Sequence, residues 1–289
     1  MNEKNNCSFV NGKIFTSNLE QPYASAMVVH DGRIAWIGDE KNLTKFDENV
    51  INLKGRRVLP GFIDSHMHPL FLANTTKQIA CTPPITNSIE ELIEHIRKRR
   101  EEQGPDVWIE GWGYDEGKLK EGRSPNRWDL DEGASDVPVI IYRACVHIAV
   151  ANSKALEMAG IDRNTPNPLA GEIDKDANGE PTGILRESAK FLFVQNMPQQ
   201  TLEESTDALV NLSSILLAHG ITSITECLAL KEPIDYYDMY IKAHEKGFKQ
   251  RTVLYYSSNV LAKNYLFDEN KLSHKNHIYI GGLKVLSDG

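Results

Sequence analysis

The 289-residue sequence holds only four cysteines, and Cys7, Cys81, Cys145 and Cys227 are too far apart to make a C-x-x-C pair. That scarcity excludes a disulfide framework and points to a reducing, cytoplasmic setting. Basic residues are also short. The formal net charge of −8 excludes a general nucleic-acid binder, because phosphate contact needs a basic surface. The one dense basic block, Lys98-Arg99-Arg100, falls in a helical pattern and reads as a solvated face. No apolar run is long enough to cross a bilayer: the most apolar window, residues 137–151, is broken by Arg143 and His147. The N-terminus MNEKNNCSFV has no apolar core of the kind a signal peptide carries. There is no H-E-x-x-H, no G-x-x-x-x-G-K-S/T and no internal repeat. What remains is a folded α/β chain with a small-molecule partner and neither nucleic acid nor membrane.

The pattern along the chain divides it. Residues 8–10 and 13–16 flank Asn11-Gly12, and residues 26–30 and 33–37 flank Asp31-Gly32, each pair reading as two strands about a tight turn. With a further strand at 50–53, residues 1–57 make a small β module. Residues 58–66 read as one apolar strand. A helix follows, opened by the capping box Ser88/Glu91 and closed by Gly104. Residues 105–200 read as an insertion with its own strands at 107–111 and 137–143 and a hairpin or loop at 171–183. From Thr201/Glu204, a second capping box, helices alternate with strands at 221–226, 251–258 and 279–286. Such alternation predicts a parallel sheet or a (β/α) barrel.

The strand at 58–66 ends on His66-Met67-His68-Pro69. In a strand, residues two apart point to one face, so the spacing predicts two imidazoles projecting together. Imidazole is a good ligand for zinc and similar divalent ions, and the C-terminal ends of barrel strands carry the active site. A pair of plain surface histidines is the competing reading.

The run P-G-F-I-D-S-H-M-H-P at 60–69, after a small β module, resembles the metal-dependent amidohydrolase superfamily. Three further segments are similar to that family: R-x-x-x-H-x-x-x-x-N-S-x-A-L at 143–156, G-x-I-x-x-D-x-x-G-x-P-T-G-x-L-x-E at 171–187, and HGITSITE at 219–226. They resemble the branch that includes N-substituted formamide deformylases. The resemblance implies an incomplete (β/α)8 TIM-like barrel over 58–289, with about four strands present, and a part of a β-sandwich module at 1–57. It implies one or two divalent metals, zinc foremost, held by His66, His68 and Lys284. Lys284 would act as a CO2-derived carbamate; the alternative is a lysine anchoring a strand end, for instance to Asp288. Metal-activated water would hydrolyse carbon–nitrogen bonds other than peptide bonds, in amides, formamides or cyclic amides.

The remaining candidates are softer. Trp112 and Tyr114 line a substrate pocket or pack a loop. His147 contacts substrate or is a satisfied core histidine. Glu187 reaches the site or caps a helix. Glu226 faces the barrel mouth, caps a helix or forms a salt bridge. Cys145 and Cys227 read as buried hydrophobes. The family's later histidines and its aspartate base have no counterpart here, and His274 and His277 do not replace them. The sequence thus reads as the N-terminal part of a longer or truncated protein, inactive alone, completed by its C-terminal half or by self-association. A non-catalytic remnant or binding protein on the same scaffold is the alternative.

Overall fold

The computed structural model describes residues 6–44, 49–105, 107–193 and 196–285. Two compact units divide the chain: residues 1–66, 216–225 and 250–252 form one, and residues 67–215, 226–249 and 253–289 the other. The expected module at 1–57 falls inside the first.

In that first unit, Arg33–Gly38, Ala26–His30, Cys7–Val10 and Val50–Asn52 form a four-stranded sheet in that order. Tyr23–Ala24, Lys13–Phe15 and Arg57–Val58 form a three-stranded one. Asp31-Gly32 makes the expected hairpin: both residues take positive φ, 49° and 74°, which suits the twist of the flanking strands. Asn11-Gly12 does not. Cys7–Val10 pairs with Ala26–His30 and Val50–Asn52, whereas Lys13–Phe15 pairs with Tyr23–Ala24 and Arg57–Val58. The turn therefore passes the chain from one sheet to the other. The expected strand at 58–66 is likewise two pieces, Arg57–Val58 in the small sheet and Phe62–Met67 in another.

The second unit holds a six-stranded mixed sheet in the order Gly171–Lys175, Pro181–Glu187, Ile148–Ala151, Val139–Arg143, Ile109–Tyr114, Ile79–Ala80. Most of its strands come from residues 105–200, and its outermost strand from residues before 105. Strand alternation sends Ile109, Val139 and Ile141 to one face, with Leu92 and Ile96 of the helix Ile89–Gln103. Ile140, Ala149 and Leu185 face the other way, with Phe193. Two residues of the quoted motifs are structural. Asn152 is fully buried: its side-chain oxygen accepts from the Val139 and Ala155 N–H groups, and its amide donates to Ala134 and Val137 carbonyls at 2.8 and 2.9 Å. Gly183 has φ 91°, and a Cβ there would lie 2.3 Å from the Ala151 carbonyl oxygen, so only glycine fits.

Phe62–Met67, Ile221–Ala229, Arg251–Ser257 and Ile278–Lys284 form a four-stranded sheet in chain order. The Phe62 N–H donates to the Gly220 carbonyl at 2.8 Å, start against start, and the Ser258 N–H to the Lys284 carbonyl at 2.9 Å, end against end. The strands so matched run parallel, and helices such as Leu202–Ala218 and Tyr236–Lys246 connect them. The α/β class is as expected. The sheet is open, and no closed barrel is present among the described residues. No helix among them is long and apolar enough to cross a membrane.

Candidate metal centre

The histidine pair does not sit on one strand. Phe62–Met67 ends before His68, whose φ −124° and ψ 80° make it the N-cap of the helix Pro69–Thr75. Pro69 at the first helical position explains the stop, since its fixed φ suits a helix start and its missing N–H is no loss there. The His68 carbonyl accepts the Leu72 N–H at 3.0 Å. His66 is exposed on the strand, and its backbone N–H donates to the Asp64 side chain at 3.1 Å.

The His68 imidazole has a carboxylate partner. Its Nδ1 lies 3.0 Å from Oε1 of Glu226, and Glu226 is only 2% exposed. The same oxygen accepts the Leu228 N–H at 2.8 Å. The hydrogen bond to Glu226, which accepts it, raises the His68 pKa above its ordinary value, against burial and the positive charge of Lys284, which both lower it. Lys284 therefore stands within electrostatic reach of His68. It closes the strand Ile278–Lys284 and is half-buried. The alternative partner Asp288 lies outside the described residues. Burial, reinforced by the charge of Glu226, pushes the phenols of Tyr236 and Tyr240 upward, so Glu226 has an apolar, weakly solvated neighbourhood.

A divalent cation fits part of this set. Imidazole buttressed by a carboxylate is a common metal-ligand arrangement. Among the described residues, however, no group of three or more histidine, cysteine or acidic side chains could hold a metal ion.

The other candidates are dispersed. Trp112 packs edge-on against Phe71, with ring centroids 6.3 Å apart, and its buried Nε1 finds no acceptor among the described residues. Tyr114 is fully buried in the core with Ile79, Leu92 and Leu130, and burial pushes its phenol up to about 12. It offers no surface to a ligand. His147 is no core histidine: its side chain is 64% exposed, and its Nδ1 lies 3.0 Å from Glu187. That pairing holds the Glu187 carboxyl below its ordinary value. Arg143 grips Glu116 through two bonds of 2.9 and 2.8 Å. Cys145 is exposed and Cys227 half-buried, so neither is the buried hydrophobe expected.

A cavity of about 640 Å³ opens in the second unit, lined among others by Leu70, Phe71, Glu110, Tyr142, Leu230 and Tyr236. Leu70 stands two residues after His68, and Tyr236 feels the charge of Glu226, so the cavity neighbours that pair. Burial raises the Glu110 pKa, although the Gln78 amide donates to it at 3.0 Å. Burial also pushes Tyr142, another lining residue, up to about 12. None of Trp112, Tyr114, His147 and Glu187 lines this space among the described residues. Glu110 sits in the same W-I-E-G-W-G-Y stretch as Trp112 and Tyr114. Alternation alone does not tell which of them meets a cavity.

Residues 49–289 match the Amidohydrolase family. An N-substituted formamide deformylase of Arthrobacter pascens is 30% identical over 82% of this chain and 45% of its own length. A putative amidohydrolase, YtcJ, of Bacillus subtilis is 31% identical over 82% of this chain and 45% of its own. Among solved structures, an uncharacterized metal-dependent hydrolase from Pyrococcus horikoshii superposes with a TM-score of 0.69 at 28% identity, covering 98% of this chain and 55% of that one. The chain thus spans about half the length of the relatives it matches.

Proposed function

The chain belongs to the amidohydrolase family, and from that premise we propose that the whole protein is a metal-dependent hydrolase of carbon–nitrogen bonds other than peptide bonds. Amides, formamides and cyclic amides are the substrate class. The observation that carries this reading is the His68 imidazole held 3.0 Å from a buried carboxylate at the C-terminal side of a parallel strand. The similarity to a formamide deformylase and to a metal-dependent hydrolase supports it.

In this reading His66 and His68 are ligands to one or two divalent ions, zinc foremost, and Lys284 as a carbamate is a third. A bound ion would lower the pKa of its water to about 7 and polarise a carbonyl oxygen. The protein's part is placement. His68 presents Nε2 while Nδ1 is engaged by Glu226. Leu70, Phe71 and Tyr236 wall an apolar space beside the pair, where a substrate's carbon skeleton would shed water. Trp112 buttresses Phe71, and His147 with Glu187 forms an exposed polar pair for substrate contact. Tyr114 acts from the core by fixing the strand that carries Trp112. Residues 1–57 are read as the β module and 58–289 as barrel with an insertion at about 105–200. Phe62 and Ile63 of the first parallel strand are 56% and 71% exposed. Further strands covering them would complete an eight-stranded barrel. Activity is therefore assigned to the protein that contains those strands, in the cytoplasm and without nucleic acid or membrane.

The test is metal analysis of the whole protein, with turnover of a panel of amides, formamides, cyclic amides and peptides. One or two equivalents of divalent metal are expected, with hydrolysis of a non-peptide amide that stops on chelation and returns with zinc. Undiminished turnover in chelator would refute the reading.

A further inference from the structure

We propose that the cavity of the second unit binds an organic ammonium ion, its apolar walls taking the carbon chain and the Glu110 carboxyl taking the charged head. The binding stands on the cavity alone; that the ligand is the enzyme's substrate rests on the hydrolase reading.

Glu110 is out of character with its surroundings. The cavity, of about 640 Å³, has the size of a small-molecule site. Trp108, Leu230 and Tyr236 are among its apolar walls, and Glu110 is the only acidic side chain among the described residues that line it. Strand alternation explains its placement. Ile109 and Gly111 are buried, and Glu110 between them points to the opposite side.

The carboxyl is only half satisfied. Oε2 accepts the Gln78 amide at 3.0 Å. Oε1 accepts no hydrogen bond among the described residues and is not sealed from solvent. No lysine or arginine there pairs with Glu110; burial and the Gln78 amide alone act on it. The Gln78 Oε1 is buried without a donor. The Tyr142 hydroxyl, within electrostatic reach of Glu110, meets only the Met197 sulfur at 3.9 Å, a weak acceptor. This end of the cavity is thus rich in acceptors and short of donors. A half-buried carboxyl in apolar surroundings gains most from a partner that is both charged and a donor. A primary ammonium brings three donors and the opposite charge.

An anion fits less well, although Lys77, Arg99 and Lys190 also line the cavity. Arg99 already donates to the Lys77 carbonyl and Lys190 to the Val146 carbonyl. An anionic head would meet the uncompensated carboxyl. The proposal holds for either protonation state of the empty cavity, because an ammonium beside Oε1 itself favours the ionised carboxyl.

The experiment uses the whole protein kept in chelator, so that an amine cannot ligate a metal. Calorimetric titrations at neutral pH compare n-hexylammonium, hexanol and hexanoate, which share a chain and differ in the head. Hexylammonium should bind about 10- to 100-fold more tightly than hexanol, with hexanoate weakest. Glu110→Gln keeps an oxygen for the Gln78 amide and removes the charge. It should lower the hexylammonium affinity to that of hexanol, while a thermal scan shows the variant folded. Equal affinities for hexylammonium and hexanol, tighter binding of hexanoate, or no binding of any probe would overturn the proposal. So would undiminished hexylammonium affinity in folded Glu110→Gln. Binding is read without metal or turnover, so an absence of hydrolysis would refute the hydrolase reading and leave this site standing.

Discussion

His66 and His68 differ in environment though they stand two residues apart. His68 caps a helix and faces a buried carboxylate; His66 is an exposed strand residue. The His-x-His spacing was legible because it is local. The partner of His68 was not, because Glu226 lies 158 residues away and only the sheet brings it near. Glu110 supplies a test at this scale that needs no metal. Its folded pKa is raised by burial above the unfolded value, so its ionised form is penalised in the folded state. That penalty is absent below the unfolded pKa and fully present once pH exceeds the folded one. Glu110→Gln should therefore raise the melting temperature by about 2 °C at pH 8 and leave it unchanged near pH 3.5. Thermal scans at the two pH values check this, and an equal gain at both would contradict burial as the cause.

Among the elements, the helices were the most readable. Thr201 and Glu204 form the expected reciprocal box, with the Thr201 N–H on Glu204 at 2.8 Å and the Glu204 N–H on Thr201 Oγ1 at 3.2 Å. At the earlier helix Ser88 accepts the Glu91 N–H, but the Glu91 carboxylate takes the N–H of Asn87, one residue further back. Strand pairing was less readable. Asn11-Gly12 signals a turn by its residue types, yet which strands pair depends on partners from residues 23–30 and 50–58. The motif asparagine gives the clearest test here. Asn152→Ala strands two backbone N–H groups and two carbonyls in the core, and should cost about 3 kcal/mol. Urea denaturation should show a lower midpoint at unchanged slope. A loss below about 0.5 kcal/mol would mean that the four bonds are not what holds the helix Ser153–Met158 on its sheet.

For the whole molecule, the open parallel sheet is the dominant fact. Phe62 and Ile63 present apolar side chains to solvent on its first strand. Expressed as these 289 residues alone, the chain should bind a hydrophobic dye and self-associate in light scattering. A dye-silent, cooperative monomer would contradict this. The class of fold was readable from helix–strand alternation. Closure was not, because a barrel is a property of eight strands together.

The central claim is the proposal that His68, 3.0 Å from Glu226, ligates the metal of an amidohydrolase. Anomalous diffraction from crystals of the whole protein loaded with zinc tests it most directly. The account predicts a zinc peak about 2.0–2.1 Å from Nε2 of His68, with Nδ1 still on Glu226 and His66 sharing the ion. Zinc bound through Nδ1, or placed away from both histidines, would contradict it.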